Sequence, residues 1–147
     1  MKTQIRTSDH AGVSAWIRLI KAYNLVLRET RGRLTECTLS QFDVVAHLAR
    51  EKHGMTAVEL SRRLLVTAGN ITGLIDRIEK SGLVKRVRDT KDRRTIRIQL
   101  TQKGNKLAQS VIPRHSADIE SIFTALSDTE KNHLHKALDK LIRSLEK

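Results

Sequence analysis

Ten basic side chains lie between Thr67 and Gly104, and their density is the most informative chemical feature of the sequence. The same stretch holds four acidic residues, so it carries +6 of the net charge of +12 of a 147-residue chain. Clustered Lys and Arg gain free energy by releasing counterions from phosphates, which makes a polyanion the expected partner. A merely solvated basic surface is the alternative, and the clustering disfavours it. The basic residues are Arg77, Lys80, Lys85, Arg86, Arg88, Lys91, Arg93, Arg94, Arg97 and Lys103.

The remaining reactive side chains are scattered. The chain has a single cysteine, Cys37, and six histidines, and it has neither a phosphate-binding glycine loop nor a spaced pair of carboxylates. His133 and His135 are two residues apart, which places them on different faces of a helix. We therefore expect no enzyme activity, no metal site and no cofactor. Cys37 fits a reducing compartment and a structural role, with redox sensing as the alternative.

A helix is predicted at the start of the basic stretch, from Thr67 to Ser81. Its isoleucines at 71, 75 and 78 and Leu74 share one face. Two glycines on the opposite face cost about 1 kcal/mol each relative to alanine, and close approach to another surface would explain them. Small and polar residues on that face suit a helix that lies deep in a DNA major groove. The predicted contacts are Thr67, Ala68, Gly69, Asn70, Thr72, Gly73 and Arg77.

A β-hairpin is predicted after Gly82, where helical spacing changes to alternation. Its tip, residues 89–94, carries Lys91, Arg93 and Arg94, which suit the negative potential of a minor groove. Asp92 would repel phosphates unless it is paired internally, so we predict that it orients Arg94 through a charge-assisted hydrogen bond. A short helix over residues 56–64 precedes the helix at Thr67. Together these elements predict a helix-turn-helix with a wing.

Four further helices are predicted around this unit. They run from Val13 to about Arg31, from Thr38 or Ser40 to about residue 54, from Thr101 through Pro113, and from Ser127 onward. Residues 1–10 have no periodic pattern and predict a loose arm. The apolar faces of the first and last helices either close the core or pair with a second copy. No apolar run approaches the roughly 20 residues of a membrane span, so we expect a cytoplasmic protein without membrane contact.

The pattern Asp92-x-Arg94, five residues, Leu100-Thr101-x-x-Gly104 resembles the wing signature of the MarR family of winged helix-turn-helix transcriptional regulators. Thr38-x-x-Gln41-Phe42, Glu59-Leu60-Ser61 and Ser81-Gly82-Leu83-Val84 are also similar to that family. The resemblance implies a mainly α fold with a small antiparallel β-hairpin. It implies one domain over residues 1–147, with a winged helix-turn-helix at about 38–101 and dimerisation helices at about 11–34 and 102–147.

The resemblance also implies a function. It predicts a homodimeric repressor that binds a pseudo-palindromic operator in double-stranded DNA, with half-sites about one helical turn apart. It predicts release by a small aromatic or phenolic effector between the dimer helices and the DNA-binding lobe, with Arg18 as an anchor for a carboxylate. The candidate effector residues are Trp16, Arg18, Ile20, Tyr23, Phe42 and His47. A nonspecific nucleoid-type or RNA-binding protein that uses the same basic surface is the alternative function.

Overall fold

The chain forms six α-helices and one two-stranded antiparallel sheet in the residues that the structure describes. The structure is a computed structural model that describes residues 10–146, apart from the side chain of Ala68. The predicted N-terminal arm therefore lies almost entirely outside the described residues. The elements are α1 (Ala11–Arg33), α2 (Leu39–Leu48), α3 (Ala57–Leu64), α4 (Ala68–Lys80), β1 (Val84–Arg88), β2 (Ile96–Leu100), α5 (Gln102–Ile122) and α6 (Asp128–Leu145), with a 3₁₀ turn over Phe123–Ala125. The predicted fold class is confirmed.

Residue contacts divide the chain into two compact units. The winged-helix unit comprises residues 31–115, and the helical unit comprises α1 up to Thr30 together with the chain from Ser116 onward. Helix α5 contributes residues to both units. Its first half belongs to the winged-helix unit, where Ala108 and Val111 are buried. No helix in the described part of the chain is long and apolar enough to cross a membrane.

The core of the winged-helix unit is formed by apolar side chains from α2, α3, α4 and the hairpin. In α4, Ile71, Ile75 and Ile78 are at most 2% exposed, and Leu74 packs against the same core. Burial of each such side chain contributes about 1.5–3 kcal/mol. The predicted inward face of this helix is confirmed, and it fixes which residues face outward. The other core residues are Val44, Val45, Leu48, Met55, Leu60, Leu83, Val84, Ile98 and Ala108.

Side-chain caps define the starts of the helices. Thr38 with Gln41, Thr56 with Glu59, and Ser127 with Glu130 form complete capping boxes, which satisfy backbone N–H groups that have no partner inside a helix. Thr38, one of the two predicted caps of α2, is the cap in the structure. The Thr67 hydroxyl accepts a hydrogen bond from the Asn70 backbone at 3.4 Å and starts α4.

Helix α2 ends at Leu48, several residues earlier than predicted. The cause is a pairing between segments that are distant in sequence: Met55 and Ile98 exchange two backbone hydrogen bonds, of 3.0 and 2.7 Å. Gly54 adopts a positive φ of 71° immediately before this pair, a conformation that favours glycine. The chain must leave the helix early enough to lay Met55 against β2.

The Leu100-Thr101-x-x-Gly104 motif joins the hairpin to α5. The Thr101 hydroxyl donates to the Gly82 carbonyl at 2.6 Å and accepts from the Gly104 backbone at 3.0 Å. A Cβ atom at Gly104 would collide with the carbonyl oxygen of Leu83. The second half of the motif is therefore structural. Helix α5 continues through Pro113 without interruption, as predicted.

Candidate nucleic-acid interface

The outward face of α4 is open to solvent. Thr67, Gly69, Asn70, Thr72 and Arg77 are exposed and Gly73 is half-buried. The side chain of Ala68 lies outside the described part of the chain. Helix α4 therefore presents the predicted contact residues on one accessible surface, opposite the buried isoleucines.

Packing within the described residues does not require glycine at either of the two glycine positions of α4. A Cβ atom built at Gly69 meets nothing within 4 Å, and one built at Gly73 meets only a guanidinium nitrogen of Arg77 at 4.0 Å. Alanine would therefore fit at both positions and would favour the helix. Within the described residues, the two glycines improve neither the packing nor the stability of the helix. The surface that they form is therefore suited to close contact with another molecule.

Asp92 organises the backbone of the wing tip, which we define as residues 89–95. One carboxylate oxygen accepts from the Arg94 backbone N–H at 3.0 Å, and the other accepts from the Thr95 hydroxyl at 3.0 Å. The predicted charge-assisted hydrogen bond to Arg94 is present, but its donor is the backbone amide. Asp92 therefore orients Arg94 by fixing the turn and leaves the guanidinium available.

Asp89 is a second organiser of the wing tip, and the sequence patterns did not predict it. One of its oxygens accepts from the backbone N–H groups of Lys91, at 2.7 Å, and Asp92, at 3.1 Å. The other oxygen accepts from Nε of Arg97. The Arg97 hydrogen bond, with help from the two backbone N–H groups, lowers the pKa of Asp89 to about 2. An aspartate followed by a polar turn is a signal for such local bonds.

Arg86 joins the wing to α4. Its guanidinium lies 2.6 Å from the Asp76 carboxylate and also pairs with Glu79, and its backbone N–H donates to Glu79 at 3.1 Å. The hydrogen bonds that the Arg86 guanidinium donates to Asp76 and Glu79 raise the pKa of Arg86. The charges of Arg86 and Arg97 are thus compensated within the protein, and their partners include three of the four acids in this stretch.

The cations at the wing tip remain available. Lys91, Arg93 and Arg94 are exposed, and none of them is within 4.0 Å of an acidic group among the described residues. The exposed cations of this stretch without an acidic partner among the described residues therefore include three at the wing tip and Arg77 on the accessible side of α4.

The predicted effector residues lie in different units. Trp16 and Tyr23 belong to the helical unit and are 59% and 62% exposed, and the Arg18 guanidinium donates to the Ser14 carbonyl at 3.2 Å. Phe42 belongs to the winged-helix unit, where it is buried with its ring centre 4.2 Å from that of His115. Their common role in one pocket stays a prediction, as it does for Ile20 and His47. Within residues 10–146, no three potential metal-ligating side chains lie together.

The chain is similar to known proteins. Residues 37–95 match the family model described as the MarR family. Over 92% of both chains, this protein is 30% identical to an uncharacterised HTH-type transcriptional regulator of Bacillus cereus. The chain belongs to the MarR family.

Two further comparisons describe this MarR-family chain. It is 34% identical over 98 residues, or 67% of its length, to the transcriptional repressor MprA of Escherichia coli K12, of which it covers 56%. It spans between 53% and 60% of the length of this and several other curated relatives. The crystal structure of Streptococcus pneumoniae FabT in complex with DNA superimposes with a TM-score of 0.69 at 25% identity, over 93% of this chain and 97% of that one.

Proposed function

We propose that this protein is a homodimeric transcriptional repressor that recognises a specific sequence in double-stranded DNA. The observation that carries the proposal is the accessible face of α4, which has two glycines that the fold does not require, together with a wing tip whose cations have no acidic partner among the described residues. A relative named as a repressor and a similar structure in complex with DNA support the same function.

Helix α4 would lie in the major groove. Asn70 is exposed on its accessible face, and an asparagine can form two hydrogen bonds with an adenine edge. The glycines would let the helix backbone approach the bases closely. Arg77, about two turns beyond Asn70 on the same face, would contact a phosphate and so contribute affinity without sequence preference.

The wing tip would lie in the neighbouring minor groove. Arg93 and Arg94 are exposed, and the turn that presents them is fixed by Asp92 and Asp89. A guanidinium inserted in a narrow minor groove is attracted by its negative potential and reads groove width. Helix α4 would therefore recognise base edges, and the wing tip would recognise the shape of the minor groove.

Exposed apolar side chains support a homodimer. Helix α6 has no buried residue in the single chain, although its apolar side chains recur on one face. An exposed apolar surface of this kind marks an interaction site, and a two-fold dimer would read two half-sites about one helical turn apart. The side chains in question are Val13, Trp16, Ile17, Ile20 and Tyr23 of α1 and Leu134, Leu141, Ile142 and Leu145 of α6.

The test is selection of a duplex from a randomised DNA library by the wild-type protein, followed by binding of that duplex, a scrambled duplex and a single-stranded RNA. We expect Asn70→Ala to lose about 1–3 kcal/mol of discrimination between the two duplexes if Asn70 contacts a base. Failure to enrich any sequence, or equal losses on both duplexes, would favour the nonspecific nucleoid-type or RNA-binding alternative. Light scattering that gives a monomer mass at micromolar concentration would contradict the dimer.

We also propose that a small aromatic compound releases the protein from DNA. Trp16 and Tyr23 offer aromatic contacts in the helical unit, and Phe42 and His47 do so in the winged-helix unit. A ligand that binds only the folded protein raises its melting temperature. A thermal-shift screen of phenolic and aromatic carboxylates should therefore yield a stabilising compound that also weakens DNA binding, and Trp16→Ala should reduce both effects.

A further inference from the structure

Asp89 and Arg97 form a link at the base of the wing tip. Arg97 lies on β2 and donates from Nε to the Asp89 carboxylate, whose side chain is only 14% exposed. A second guanidinium nitrogen of Arg97 donates to the Gly54 carbonyl at 3.2 Å and lies 3.9 Å from Glu59. Arg97 therefore connects the wing tip to the segment that leads into α3.

The two oxygens of Asp89 have separate tasks. Oδ1 accepts the backbone N–H groups of Lys91 and Asp92, which start the turn, and Oδ2 accepts from Arg97, which anchors the turn to the rest of the unit. Two backbone bonds of 2.9 Å, from Asp89 to Thr95 and from Thr95 to Asp92, close the tip. The turn that carries Arg93 and Arg94 is thus held through Asp89.

We infer that Asp89 and Arg97 are positioning residues for DNA binding: they hold the wing tip in the place from which Arg94 reaches the minor groove, and neither contacts DNA itself. Arg97 is half-buried, and its charge is already compensated by Asp89 and Glu59. This inference rests on the proposed DNA-binding function and adds two residues to it.

The direction in which Asp89→Asn changes the affinity for DNA distinguishes a positioning role from a simple electrostatic effect. Asp89→Asn removes a negative charge next to the cations of the wing tip, so charge alone predicts tighter binding to DNA. Asparagine keeps the Oδ1 acceptor for the turn but places a donor opposite Arg97, so it breaks only the anchor. We expect Asp89→Asn to bind the selected duplex about tenfold more weakly.

Matched variants complete the experiment. Asp128→Asn makes the same charge change at a carboxylate that is 97% exposed on α6, and it should leave affinity for the selected duplex unchanged. Arg97→Lys keeps the charge but loses the two-pronged geometry of the guanidinium, and it should weaken binding as Asp89→Asn does. If Asp89→Asn fails to fold, Arg97→Lys tests the same positioning role.

A double-mutant cycle with Arg94→Ala decides whether the effect acts through Arg94. If Asp89 positions Arg94, then Asp89→Asn should cause no further loss in the Arg94→Ala background. Equal losses in both backgrounds, or unchanged or tighter binding by Asp89→Asn, would overturn the inference. If the wild-type protein does not distinguish the selected from the scrambled duplex, the proposed function fails, which is a different result.

Discussion

Replacing Gly73 by alanine should stabilise the protein and weaken its binding to DNA. Glycine in a helix interior is about 0.8–1.0 kcal/mol less favourable than alanine, and a Cβ atom at this position meets only the Arg77 guanidinium, at the ordinary contact distance of 4.0 Å. We therefore expect a gain of about 0.5–1 kcal/mol in the free energy of unfolding. For a chain of this size that corresponds to a rise of about 1–4 °C in melting temperature.

The added methyl group would stand on the face of α4 that we place in the major groove. If the helix backbone approaches the bases as closely as the two glycines allow, the methyl group forces the helix outward and lengthens its hydrogen bonds to the bases. We expect affinity for the selected duplex to fall about tenfold, with a smaller loss on scrambled DNA. Fluorescence anisotropy with labelled duplexes measures both affinities, and thermal denaturation of the same samples measures stability.

Gly32→Ala is the matched control. Gly32 lies in the last turn of α1, outside the proposed interface, and a Cβ atom there also meets nothing within 4 Å. This variant should be at least as stable as the wild type and bind DNA equally well. If Gly73→Ala gains stability without losing affinity, α4 does not approach the bases closely at Gly73. A loss of stability would mean that a side chain at position 73 meets a steric conflict, contrary to the open space around this glycine.

Three further predictions concern residues outside the α4 glycines. Leu65 has a φ of 53° and is 93% exposed, so Leu65→Gly should raise the free energy of unfolding by about 1 kcal/mol because glycine adopts the left-handed conformation without strain. Denaturant titration measures this gain, and no gain would show that Leu65 is not strained. A hydrogen bond from Arg114 lowers the pKa of Glu36 from 4.5 to about 2, so the ionised carboxylate stabilises the fold fully above pH 4.5, and this stabilisation is lost as the pH falls toward 2. Glu36→Gln should therefore make the stability less dependent on pH in that window, and an unchanged pH profile of unfolding would contradict the ion pair. Arg86→Gln leaves two acids of α4 uncompensated and should weaken binding to both duplexes, measured by anisotropy at several salt concentrations, whereas a loss confined to the selected duplex would point to a base contact instead.

The parts of the fold that depend on neighbours in sequence could be predicted. The spacing of Ile71, Ile75 and Ile78 determined the inward face of α4, and the caps at Thr38 and Thr56 followed from a polar side chain three residues away. These signals are local because a helix brings residues three and four apart together. The accessible face of α4 and the exposed cations of the wing tip followed from the same patterns.

The parts that depend on pairing across the chain could not be predicted. Arg97 and Asp89 meet only because β1 and β2 pair with Arg88 opposite Ile96. The alternation of apolar residues predicts two strands but does not set their register. The early end of α2 has the same origin, since Met55 pairs with Ile98 from 43 positions away. A count of charges could not show that Arg86 and Arg97 are compensated internally.

The pairing of Met55 with Ile98 has a mechanical consequence. It ties the hairpin to the entry of α3, while Arg86 ties the same hairpin to α4, so the base of the wing is fastened to both helices. Helix α4 and the wing, which we propose contact the major and minor grooves, are therefore linked to each other through the hairpin. If the proposed dimer binds DNA, the distance between the two winged-helix units would then decide whether both half-sites can be contacted at once.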